Sequence, residues 1–78
     1  MGEQRRQRGM KEEVAELAGR EPFIPFAIVM NSGERYPVTE ADVVVVREPL
    51  LHIVRSRPAR QDVLRLTEIS SLEVSDSY

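Results

Sequence analysis

Seventy-eight residues leave room for one domain, and a domain of this size buries only roughly 60–65% of the surface its unfolded chain exposes. The sequence has no cysteine and one histidine, which excludes disulfides and thiolate zinc sites as props for so thin a core and leaves self-association or a core sufficient by itself. A net charge of −2 with 41% apolar residues marks a globular chain rather than a disordered one, and argues against a dedicated nucleic-acid binder, which is usually basic.

Residues 1–9 show no apolar periodicity and read as an arm, flexible or helical. Met10, Val14, Leu17 and Ala18 then recur at helical spacing and predict an amphipathic helix over about 8–18. Glu12, Glu13 and Glu16 fall on its solvated faces. Gly19 is the expected stop, through a left-handed conformation, and Pro22 and Pro25 forbid continuation. Pro22 to Pro25 is an extended linker, because a residue before proline is pushed toward β geometry. Phe23 is its expected anchor on the sheet.

Phe26 to Met30 has the β-propensity and length of a strand. Asn31-Ser32-Gly33 is a hairpin turn with Gly33 at positive φ. Glu34 to Val38 returns as a second strand, and Pro37, lacking a donor, places it at an edge or a bulge. Thr39 and Asp42 have capping-box spacing. Val43 to Val46 lacks alternation and predicts a strand covered on both faces. Leu50 to Val54 is the next strand, residues 56–62 a polar loop, Val63 to Leu66 a strand, and residues 67–70 a short turn. Ser71 to Val74 alternates cleanly as a last strand, and residues 75–78 form a tail. The single domain is thus expected over 10–74. Its class is mostly β (α+β): an amphipathic N-terminal helix, then a curled five- to six-stranded antiparallel sheet. Such a sheet closes readily into a small barrel.

The stretch from Glu21 to Val74 resembles a group of small bacterial proteins with a helix, a Pro-Phe-x-Pro-Phe segment, a strand, an x-x-Gly hairpin and a closing aliphatic strand. The matching residues are Pro22-Phe23-Ile24-Pro25-Phe26, Ile28, Ser32-Gly33, Val38 and Leu66 to Val74. The resemblance implies an SH3-like or Sm-like barrel and no activity. Many relatives carry His-Pro after the second strand. Glu40-Ala41 stands there in this chain, so any role built on that pair does not carry over. A fainter resemblance is to Sm-like RNA-binding rings, whose uridine-stacking residues are not recognisable here.

Chemistry-bearing patterns are sparse. His52 has no carboxylate or cysteine spacing around it, and Ser70, Ser71 and Ser75 have no nucleophile elbow. No P-loop, dinucleotide fingerprint or H-E-x-x-H motif is present, so no cofactor, metal or enzymatic activity is expected. No apolar run reaches the roughly 20 residues of a membrane span, and no export signal is recognisable, so the expected compartment is the cytoplasm. Two surfaces remain. Arg55, Arg57 and Arg60 on or beside a polar loop, with Arg5, Arg6 and Arg8 of the arm, form a candidate patch for phosphates or acidic partners. Val43, Val45, Leu51 and Ile53 form a candidate self-association surface, since apolar strands exceed what one thin core needs. The first expectation is a non-enzymatic module that self-associates or docks on a protein. The alternative is an Sm-like nucleic-acid-binding barrel using the arginines. A third is an enzyme whose composite site places His52 at an oligomer interface.

Overall fold

The computed structural model describes residues 9–75. The order is helix α1 (Met10–Ala18), strands β1 (Phe26–Met30), β2 (Arg35–Val38), β3 (Val43–Arg47), β4 (Leu50–Ser56) and β5 (Ala59–Arg65), a 3₁₀ turn (Leu66–Glu68), and strand β6 (Ile69–Val74). The strands form two three-stranded antiparallel sheets, β2-β1-β6 and β3-β4-β5.

Helix α1 starts at Gly9, whose N–H donates to the Glu12 carboxylate at 3.0 Å. Val14 is its one fully buried residue, and the helix packs against β3. Lys11 reaches Glu48 in the turn after β3 at 3.3 Å. Gly19 ends the helix at φ −100°, so the expected left-handed stop is not used. Phe23 and Phe26 lie with ring centroids 6.1 Å apart, which joins the proline-bounded linker to the core as expected.

The core lies between the sheets. Phe26, Ile28 and Val38 come from the first sheet, Leu51, Ile53 and Leu64 from the second, with Ile69 and the helical Val14 closing the cluster. The β1–β2 hairpin turns through Asn31-Ser32-Gly33. Gly33 has φ 98°, and its N–H donates to the Met30 carbonyl at 2.8 Å. Glycine suits that position because a Cβ strains positive φ. Pro37 sits on β2, an edge strand, where its missing donor breaks no ladder.

Three expectations are corrected. First, the barrel is not closed: β2 does not pair with β3, nor β5 with β6. The turn after β2 explains one break. Asp42 accepts from the Thr39 N–H at 2.8 Å, and the Asp42 N–H donates to the Thr39 carbonyl at 3.0 Å. That reciprocal lock, anticipated from the capping spacing, swings the chain from one sheet to the other. The 3₁₀ turn does the same between β5 and β6. Second, residues 56–62 are not a loop. The β4–β5 ladder runs to Ser56↔Ala59 and turns on Arg57-Pro58 alone. Third, the valine run is not covered on both faces. Its burial alternates, with Val44 and Val46 half-buried and Val43 and Val45 exposed. One core supports only one side of this sheet.

Candidate functional site

The outer face of β3-β4-β5 follows from the register. Val45 and Val63 flank His52 on either side, Val43 lies opposite Val54, and Val54 lies opposite Gln61. Val43 is 57% exposed, Val63 49%, Val54 40% and Val45 37%. These four valines therefore form an exposed apolar strip across the three strands. Two polar side chains meet at its centre: the Gln61 amide nitrogen is 2.9 Å from His52 Nδ1. Arg47 and Arg65 stand at one end, on either side of Leu50. No carboxylate lies on this face.

The carboxylates of this sheet are turned elsewhere. The inward alternation of Leu51 and Ile53 continues to Arg55, which plugs the end of the core. Its Nε donates to Asp62 at 2.8 Å, and its Nη1 to Asp42 at 3.0 Å and to the Pro37 carbonyl at 3.0 Å. Arg60 adds a contact to Asp62 at 3.3 Å. The Arg55 side chain is 18% exposed, Asp62 16% and Asp42 8%, so the cluster is largely withdrawn from water. The hydrogen bond from Arg55 holds the Asp62 carboxyl below the ordinary carboxylate range. Burial opposes this, and the charges of Arg60 and Arg55 reinforce it. On β2, Tyr36 donates to Glu34 at 3.1 Å. That bond raises the phenol above its usual value.

The sequence-derived patches are redistributed by this geometry. Arg55 is not on a loop and is not free for a phosphate, because two carboxylates hold it inside the fold. Arg60 shares Asp62. Arg57 is exposed at the hairpin tip. Arg5, Arg6 and Arg8 lie outside the described residues. Of the candidate self-association residues, Val43 and Val45 are on the outer face. Leu51 and Ile53 are fully buried and cannot belong to a surface. The strand alternation that turns His52 outward turns both of them inward. Val54, Val63 and Gln61 complete the face and were absent from the expectation. Val54 was legible from the same alternation, whereas Val63 needs the β4–β5 register.

A cleft of about 620 Å³ runs between the helix C-terminus and β3, lined by Arg20, Phe23, Glu40 and Val43 among others. It brings together no nucleophile and base. Among the described residues no group of three or more histidine, cysteine or acidic side chains is placed to hold a metal. No helix among them is long and apolar enough to cross a membrane. Comparisons of the chain with protein-family models, curated proteins and solved structures found no match.

Proposed function

We propose that this chain is a non-enzymatic interaction module that meets another protein surface through the outer face of β3-β4-β5. The observation that carries the reading is the valine face itself. Its apolar residues are contiguous and exposed, and its central polar pair is already hydrogen-bonded. Covering it removes apolar area from water with the His52 Nδ1 already partnered. The charged residues that interface centres usually lack are confined to one end. His52 has an amide rather than a carboxylate for a partner, which supports a contact role over that of a general base. We read the scaffold as an opened SH3-like or Sm-like barrel, since two short sheets close on one core with a helix at its margin.

Site-specific photo-crosslinking tests the reading. A benzophenone side chain replacing Val63 is expected to form a covalent adduct with a polypeptide in cells. The same group replacing Ser71, exposed on β6 of the other sheet, is expected to form none. No adduct from position 63, or equal adducts from both positions, would overturn it.

A further inference from the structure

We infer that the surface covering the valine face is a second copy of this chain, packed sheet on sheet about a two-fold axis running across the strands through His52. The inference rests on the reading of that face as a protein contact. Its argument is the distribution of charge.

The face carries Arg47 and Arg65 at one end and no carboxylate. Two identical faces can meet in two ways that keep the strands nearly aligned. An axis along the strands stacks the arginine ends on each other, which places like charges together at a desolvated contact. An axis across the strands reverses one copy end for end. The arginine end of each copy then lies over the Val43–Val54 end of the other, where the sheet carries no charge. Glu40 lies just beyond that end, exposed in the turn that precedes Val43. A long arginine at position 47 extends toward Glu40 of the second copy, and the relation repeats by symmetry, as an isologous contact requires. The rows that meet near the axis are Val45, His52 and Val63. The His52–Gln61 bond keeps the imidazole Nδ1 partnered when water leaves.

The size of the face sets the strength. Three strands spaced by about 4.8 Å and five residues rising about 3.3 Å each give a plan of roughly 15 by 16 Å. This is well short of the ~800 Å² per partner of a standard stable interface. The dimer is therefore a weak, transient one.

Sedimentation velocity of the full chain over a concentration range of ~20 μM to ~1 mM is expected to show the mean mass climbing from 8.9 kDa toward twice that value, as a weak association in that range requires. Val54→Arg is expected to weaken association at least tenfold while leaving the far-UV spectrum unchanged. Arg47→Glu is expected to weaken it as well, and Arg47→Glu combined with Glu40→Arg to restore it. A monomer throughout the range, or no rescue by the charge exchange, overturns the two-fold arrangement. The benzophenone at position 63 separates this failure from that of the underlying reading. Adducts only with a different polypeptide refute self-association and leave the interaction face standing. No adduct refutes both.

Discussion

Arg55 shows how one side chain can be read two ways from its neighbours in sequence. Within Arg55-Ser56-Arg57-Pro58 it looks like part of a basic loop, but β alternation from Leu51 and Ile53 points it inward. There it bonds Asp42, Asp62 and the Pro37 carbonyl. Removing it leaves Asp42 without its counter-charge and Asp62 with the exposed Arg60 alone, and breaking such a cluster from one side costs about 3 kcal/mol. Arg55→Met is expected to lower unfolding free energy by about that amount in urea titration, where a solvated loop arginine would cost under ~0.5 kcal/mol. The same cluster gives stability a pH dependence of defined sign. Folding lowers the Asp62 pKa, so its ionised form stabilises the native state above the unfolded value near 4. That contribution is lost as pH falls through the still lower folded value. The stability advantage of the natural chain over Asp62→Asn is expected to shrink steadily from about pH 6 to about pH 3. A constant difference across that range would dissociate Asp62 from the pH response.

At the scale of elements, Val14 is the helix's one fully buried side chain. Val14→Ala removes two methyl groups from the core and is expected to cost about 2 kcal/mol, read as a lower urea midpoint at unchanged m-value. Gly33→Ala meets no atom within 4 Å, so its expected loss of about 1 kcal/mol comes from positive φ and not from a clash. Helix, linker and first hairpin were legible in the sequence because each is fixed locally. Helical spacing ran from Met10 to Ala18, prolines bounded the linker, and glycine sat where the hairpin needs it. The long β4–β5 hairpin was not legible. Its outer half, Arg55 to Asp62, is held by ladder bonds and a diagonal Arg55–Asp62 pair, which leave no apolar alternation in the sequence. The valine run misled for the opposite reason. Four β-branched residues report strand propensity, and propensity does not say whether one face or both will be covered. Half of the candidate surface, Val43 and Val45, was recoverable in this way. Val54 follows from the alternation of β4, and only Val63 required knowing which residue of β5 stands beside His52.

On the scale of the whole molecule, the question is whether the net charge of −2 hides a basic surface strong enough for nucleic acid. The fold makes that harder. Asp42 and Asp62 take up Arg55, and Asp62 also engages Arg60, so the hairpin presents chiefly Arg57 to a phosphate. Arg47 and Arg65 stand at the end of an apolar face, with no aromatic ring on it to stack a base. A single phosphate contact changes log affinity by less than about one for each tenfold change in salt, too little for a stable complex. Fluorescence anisotropy of a labelled single-stranded oligonucleotide with the full chain is expected to stay flat to about 100 μM at low salt, a concentration at which non-specific binders of Kd ~10⁻⁴–10⁻⁶ M are half-saturated or more. Binding with a steep salt dependence that disappears when Arg5, Arg6 and Arg8 are replaced by alanine would overturn this expectation and place the nucleic-acid contact in the arm. Salt-dependent binding lost with Arg57→Ala would place it at the hairpin tip. Either outcome would make the valine face an assembly surface beneath a nucleic-acid function, because a weak dimer doubles the number of arms or tips that one strand can engage at once.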